Sequence, residues 1–351
     1  MSVLTSPLRL RDLTLRNRLI MSPMCQYSAQ DGHPNDWHIV HYGARAQGGA
    51  GMVMLESTAI SPDARISAGC LGLWDESQVH SHAALVKAIH RHGAAAAVQL
   101  NHAGAKASFT APWEGNRPLP LEEGGWARLA PSARLAKAPT TSITEAQIRD
   151  VIRDFEKAAC LAVKAGFDAI EVHAAHGYLL HQFLSPLSNE REDHYGGDTL
   201  ARSQFLLDVV RAVRAVIPVS MPLFVRLSCV DARGSDEGWR LEESIELSHQ
   251  LAKLGVDIID CTSGGVSTFT PSREGAFNAE LSRALKTATP LAIGTVGGVN
   301  TPEQAENLLE QGQCDVVFVG RALLRDPYWL LRIESAKQAG WVPVQYARAE
   351  F

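Results

Sequence analysis

The amino-acid sequence predicts an α/β protein built as a (β/α)8 barrel. Three observations carry that expectation. Short apolar runs of strand length alternate with longer amphipathic segments along all 351 residues. The short runs are nearly continuous in apolar residues, as strands buried on both faces are. Eight of them can be placed, and the GxGxxG turn that a doubly wound sheet usually carries after its first strand is absent. Length alone would allow about two domains at roughly 100–200 residues each, but barrels commonly exceed that as one unit. Residues 1–351 are therefore expected to form a single barrel domain.

Pro7–Asn17 alternates Leu with Arg or Asp, which predicts a short hairpin plugging the N-terminal end of the barrel. Strands are expected at Leu19–Met24, Gly51–Glu56, Ala95–Leu100, Asp168–His173, Pro222–Leu227, Val256–Cys261, Pro290–Gly294 and Cys314–Val319. Helices are expected at Trp37–Gln47, Val79–Arg91, Leu200–Val216, Leu241–Leu254 and Thr301–Gln311, the last opening on Thr-Pro. The clearest helical pattern has Ile148, Val151, Ile152, Phe155, Ala159 and Ala162 on one face, with a capping box from Thr144 and Gln147. From Gly104 to Ser142, Pro112, Pro118, Pro120, Pro131 and Pro139 interrupt regular structure. A connection longer than about 12–15 residues is usually functional or disordered. This one leaves the third strand at the face where barrel enzymes keep their sites and carries Trp113 and Trp126 to pack, so residues 104–142 are expected to form a substrate lid.

Composition narrows the function classes. With 33 Lys and Arg against 38 Asp and Glu, the net charge of −5 offers no global basic field for nucleic acid or anionic lipid. A 46% hydrophobic, 20% charged chain is far from the signature of disorder. No run approaches the roughly 20 apolar residues of a membrane span, and Arg9 and Arg11 precede any apolar stretch of signal-peptide length. A cytoplasmic protein is expected, with neither nucleic acid nor membrane as partner. Cys25, Cys70, Cys160, Cys229, Cys261 and Cys314 lie far apart with no CxxC pair, which excludes a written zinc ribbon or iron–sulfur motif.

In a barrel the C-terminal strand ends should hold the chemistry, and here they are rich in functional groups. The first strand runs into Ser22-Pro-Met-Cys-Gln-Tyr27, the third ends in Gln99-Leu-Asn-His102, the fourth in His173-Ala-Ala-His-Gly-Tyr178, and the fifth carries Arg226. Gly297, Gly298 and Gly320 offer bare amides after strands seven and eight, and Arg321 adds a cation, a pattern that suits a phosphate. Three readings fit His173, His176 and Tyr178: a metal site, which lacks a third ligand in the neighbouring sequence; satisfied core histidines; or two donors gripping an oxygen with Tyr178 as proton donor. Recognition of an oxygen is the expectation, with no metal. Arg226 ends an apolar strand, and no carboxylate lies beside it in sequence, so an anionic cofactor is its expected partner. Gln99 offers a donor and an acceptor to the mixed edge of a heterocycle.

The blocks SPMCQY at 22–27, HAAHGYLLHQFLSPLSNEREDHYGG at 173–197, LFVRLS at 223–228, IDCTSGG at 259–265 and VFVGRALLRDP at 317–327 resemble the Old Yellow Enzyme family. More narrowly, they are similar to its thermophilic-like bacterial subgroup, which includes xenobiotic reductases and NADPH dehydrogenases. The resemblance implies tightly bound, non-covalent FMN and NADPH or NADH as hydride donor. It places Ser22, Pro23, Met24 and Cys25 against the flavin ring, with Cys25 tuning its potential, and Ser57 at a contact position that is often Ala. It assigns Gln99 and Arg226 to the pyrimidine edge, and Gly297, Gly320 and Arg321 to the phosphate. His173 and His176 would hold the substrate's activating oxygen, Tyr178 would donate the proton, and Tyr27 would contact the substrate. The implied reaction is a ping-pong reduction of an alkene conjugated to a carbonyl, nitro or similar group. The subgroup also sends a C-terminal arginine into a neighbouring subunit's site, which implies a homodimer or homotetramer and points to Arg348 in the 340–351 tail, although Ala-Glu-Phe replaces the usual Gly-Trp ending.

Other classes are weaker. A Schiff-base aldolase would want a Lys inside the barrel, and VDIIDC and PLAIG carry none. Other FMN barrels lack HAAHGY in this form, and a flavin-storage or sensing protein with incidental reductase activity is the remaining alternative.

Overall fold

In the computed structural model, residues 2–133, 139–232, 237–266 and 275–349 are described. Eight parallel strands close into a barrel, in chain order: Leu19–Met21, Met52–Ala59, Ala95–Asn101, Ala169–Ala174, Leu223–Ser228, Ile258–Thr262, Ala292–Val296 and Val316–Val319. The eighth pairs back onto the first through Val317↔Leu19 and Val319↔Met21, which leaves no open edge. Each of the eight apolar runs is therefore a barrel strand. The first is shorter than its apolar run suggests, because Pro23 has no N–H for the ladder and Ser22–Met24 turns into loop.

Every strand is followed by a helix. Asp36–Gln47, Ser77–His90, Glu145–Ala165, Thr199–Val216, Leu241–Lys253 and Pro302–Glu310 match the periodic segments. Ala279–Ala288 and Arg321–Arg325 complete the alternation. The Glu145–Ala165 helix buries Ile148, Val151, Phe155, Ala159 and Ala162 as its pattern requires. Its capping box forms, with the Gln147 amide donating to Thr144 Oγ1 and the Thr144 amide to Gln147 Oε1. No helix among the described residues is long and apolar enough to cross a membrane.

Leu8–Leu10 and Leu13–Leu15 form the expected hairpin, paired antiparallel with Leu8 opposite Leu15. Leu10 and Leu15 pack into one cluster with Ile20, Met54, Ala97, Phe224 and Phe318, the inward-facing side chains at the lower end of the barrel. Arg11 clamps the hairpin with a 2.7 Å bridge to Asp257 and a bond to the Gly255 carbonyl.

The described part of 104–142 is irregular but anchored; 134–138 lie outside the described residues. Leu129–Ala130 pairs with Thr141–Ser142. Arg128 donates to the carbonyls of Ala107, Ser108 and Leu119. The Arg65 guanidinium lies over both Trp74 and Trp126, at 5.5 and 4.8 Å, and ties the segment to the loop after the second strand. Trp113 is exposed, yet its ring meets Tyr27 edge-on at 5.8 Å.

Candidate active site

The fourth strand ends at Ala174 and the chain turns sharply, with His176 at φ +59° and Gly177 at +70°. A Cβ on Gly177 would stand 2.2 Å from the Gly265 carbonyl, so only glycine fits this turn. The turn brings the rings together. His173 lies 5.2 Å from His176, nearly perpendicular, and 4.9 Å from Tyr178. The His173 Nδ1 accepts the Ala175 amide at 3.3 Å, which leaves the proton on Nε2. His176 Nε2 pairs with Thr262 Oγ1 at 3.1 Å, and its amide donates to Ser228 Oγ. Burial drives both imidazoles well below their usual range, with Arg226 and Lys106 pushing the same way. Lowered in this way, they fit the role of neutral N–H donors. Burial holds the Tyr178 phenol well above its usual pKa, so it keeps its proton.

Across the mouth, Cys25, Tyr27, Tyr178 and Trp126 pack around Ile66, Cys70, Ala103 and Ala107. Burial raises the Cys25 thiol well above its usual pKa, Cys70 and Glu56 add to that, and hydrogen bonds from Tyr27 and the Ser57 backbone oppose it. It is a neutral thiol rather than a poised nucleophile. Ser22 Oγ accepts from Arg226 Nη1 at 3.3 Å, and Ser57 Oγ accepts from Asn101 Nδ2 at 2.8 Å. Pro23 and Met24 continue the same rim, with Met24 Sδ 3.2 Å from where a Cβ on Gly320 would sit.

One expectation is corrected. Arg226 does not lack a protein counter-charge: its Nε lies 3.2 Å from Asp260 Oδ2 on the adjacent strand. Glu171 stands nearby and accepts from Gln99 Nε2 at 2.7 Å. Both carboxyls are fully buried, and burial raises both, Asp260 to about 6 and Glu171 well above its usual range, while Arg226 opposes the rise. Sequence neighbours could not reveal this pairing, because Asp260 reaches Arg226 through strand register.

Gly297 and Gly298 follow the seventh strand with φ of +113° and +74°, and Gly320 caps the short Arg321–Arg325 helix. The Arg321 side chain is exposed. Arg348 follows in the C-terminal tail. The chain leading to it, Gly340–Gln345, lines a cleft of about 510 Å³ with Arg16, Gln47, Arg91 and His92 at the opposite, N-terminal end of the barrel. Among the described residues, no group of three or more His, Cys, Asp or Glu could hold a metal.

Four further residues shape the site. Lys106 donates to the His176 and Gly265 carbonyls at 2.6 and 2.8 Å and stands 5.7 Å from the Tyr178 ring. Glu171 and Asp260 are acids set within apolar runs, an anomaly that was itself the available signal. Glu56 ends an apolar run in the same way.

The buried ionisable groups fix how stability should vary with pH. His38, His82 and His102 are lowered to about 4 and His41 to about 3, chiefly by burial, and His173 and His176 are also lowered. Below about pH 6.5 the unfolded chain binds protons that these six groups refuse in the folded state, so stability falls on acidification. Glu56, raised to about 8, Asp260 and Glu171 act oppositely, because above about pH 4.5 the unfolded chain releases protons that the fold retains. Six imidazoles outweigh three carboxyls below 6.5, and above it Glu56 still retains the proton that the unfolded chain has released. The melting temperature of the holoprotein is expected to peak near pH 6.5, and a steady climb to pH 9 would contradict that.

A closed barrel whose C-terminal mouth gathers two imidazoles, a phenol, an arginine and a glutamine is the setting of a barrel enzyme's active site. Residues 3–339 match the model of the NADH:flavin oxidoreductase / NADH oxidase family, and the chain belongs to that family. It is 40% identical to the NADPH dehydrogenase of Listeria monocytogenes serotype 4a (strain HCC23), over 99% of both chains, and equally to that of Listeria innocua serovar 6a. Among solved structures it is similar to morphinone reductase (TM-score 0.79, 27% identity, 94% of this chain and 89% of that one). It is similar also to an old yellow enzyme homologue from Zymomonas mobilis (TM-score 0.78, 26% identity, 94% and 91%). The chain is thus an enzyme of the Old Yellow Enzyme type that uses FMN and NAD(P)H. The residues present fit FMN. Gln99 Oε1 and Arg226 Nη2 take no partner among the described residues, and the Gly297–Gly298 turn and Gly320 present backbone without side chains.

Proposed function

We propose that this enzyme reduces the carbon–carbon double bond of alkenes conjugated to a carbonyl, nitro or related group, in two alternating halves that share one site. The observation that supports this reading is the convergence of two neutral imidazoles and one un-ionised phenol on a single mouth. FMN, when bound, supplies the hydride relay between the nicotinamide donor and the alkene. Ser22, Pro23, Met24, Cys25, Ser57, Gln99 and Arg226 would hold its ring, and Gly297, Gly320 and Arg321 its phosphate. His173 and His176 donate to the activating oxygen of the alkene and stabilise the charge that grows there. Tyr178 delivers a proton to the α-carbon, and Tyr27 lines the substrate's space. Six free thiols support a cytoplasmic setting.

Denaturing the purified protein and weighing the released chromophore tests the cofactor assignment, with FMN the expected mass. Anaerobic NADPH should then bleach the visible band, and cyclohexenone should restore it. A different mass, or a band that stays bleached with cyclohexenone and related alkenes, would overturn the reading.

Arg348 is proposed to act in a neighbouring subunit of a homodimer or homotetramer, since its approach along the barrel's N-terminal end leads away from its own mouth. Truncation after Tyr346 is expected to weaken binding of phenolic ligands about tenfold, the loss of one charge-assisted hydrogen bond. Unchanged affinity would remove Arg348 from the site.

A further inference from the structure

The second barrel strand breaks its ladder at one place. Its pairing with the third strand runs in step to Leu55↔Val98 and resumes at Ser57↔Gln99, so Glu56 is the extra residue of a bulge. Strict alternation after Met52 and Met54 would aim position 56 at the barrel interior. The bulge places Ser57 beside Gln99 instead and frees Glu56 to serve the loop after the first strand.

That loop carries Cys25 and Tyr27. Glu56 Oε2 accepts the Gln26 amide at 2.8 Å, and the carboxyl also accepts the Tyr27 amide. Tyr42 of the Asp36–Gln47 helix braces it from behind: its hydroxyl donates to Glu56 Oε1 at 3.1 Å and accepts the Glu56 amide at 2.9 Å. Tyr27 needs this hold because its φ is +50°, a left-handed conformation that a bulky residue adopts only under constraint. The rest of the loop has separate supports, with Trp37 Nε1 on the Gln26 side chain and Asn35 Nδ2 on the Ser28 carbonyl.

We propose that Glu56 is a positioning residue for the reaction: its buried carboxylate grips the Gln26 and Tyr27 amides and so sets Cys25 and Tyr27 against the mouth. This rests on the alkene-reductase reading for its functional consequence, though not for the grip itself. The titratable groups facing Glu56 are His38 and Tyr42 on the helix, Cys25 and Tyr27 on the loop, and Cys70 beyond it. Burial leaves His38 neutral, and the phenols and thiols keep their protons, so none of them supplies a compensating charge. Burial therefore lifts the carboxyl to about 8, while the bonds from Gln26, Tyr42 and Tyr27 pull it down. The ionised form accepts from all three donors, and protonation blocks one lone pair. The grip should tighten as pH rises through about 8.

Glu56→Gln keeps the shape and one acceptor but cannot ionise. Compared at about pH 9, where the parent's carboxyl is ionised, the Gln26 and Tyr27 amides of this variant are expected to exchange hydrogen at least tenfold faster, with Ser28 and Asn35 unchanged, in the holoprotein and after FMN removal alike. The KM for cyclohexenone should rise about tenfold. The parent's KM should bend near pH 8, and the bend should vanish in the variant. Tyr42→Phe removes one donor to the carboxylate and should move the bend to higher pH, which keeps the test usable if Glu56→Gln folds poorly. Unchanged exchange at Gln26 and Tyr27, or a bend that persists in Glu56→Gln and stays put in Tyr42→Phe, would overturn the proposal. Failure of the parent itself to reduce cyclohexenone would instead count against the alkene-reductase reading, and the exchange measurement would still decide the grip.

Discussion

Replacing both His173 and His176 by Ala is expected to slow alkene reduction by about 10²–10³-fold, the loss seen when a pre-aimed oxyanion donor is removed. Reduction by NADPH should persist, because Gln99, Arg226 and the glycines that would hold FMN are untouched. The size of the effect follows from how little these donors move. Each imidazole is fixed by a second bond, His173 through the Ala175 amide and His176 through Thr262, and Lys106 pins the His176 carbonyl. Both are neutral, so they lose no counter-charge in the resting protein and strengthen only as charge grows on the substrate oxygen. A double variant is needed because either ring alone leaves a donor in place. Separate anaerobic stopped-flow measurements of the two halves would show it, and an unaltered second half would remove the pair from its role.

Tyr178→Phe is expected to slow the same half by about 10²-fold, the lower end for general acid catalysis, since water can substitute in part. The variant isolates the hydroxyl. Phe keeps the edge-on ring contact with His173 and the face offered to Lys106, so packing and cofactor affinity should hold. Because burial keeps the phenol protonated far above neutrality, the parent's rate should carry no Tyr178 ionisation between pH 6 and 9. A second half as fast as the parent's would leave the proton donor to be sought elsewhere.

The barrel was legible because its strands are doubly buried and so write themselves as apolar runs, and because the caps at Thr144 and Thr301 mark where helices begin. Strand-end residues were legible for the same topological reason. What stayed hidden depends on register. Asp260 meets Arg226 only through the pairing of adjacent strands, and Glu56 faces the Tyr27 loop only because a bulge offsets the alternation. The Leu179–Leu184 helix shows no amphipathic period because every one of its residues is buried. Arg226 shows no carboxylate beside it in sequence because its protein counter-charge, Asp260, comes from the adjacent strand.

The N-terminal hairpin carries a consequence for traffic. Leu10 and Leu15 stopper the lower end of the barrel, and among the described residues Tyr178 packs at the opposite rim with Trp126 of the 104–142 segment. A molecule with a single doorway is a cul-de-sac, in which one visitor must back out before the next can come in. On the proposed reaction, donor and acceptor of hydride would share that one end of the barrel and so be expected to take turns.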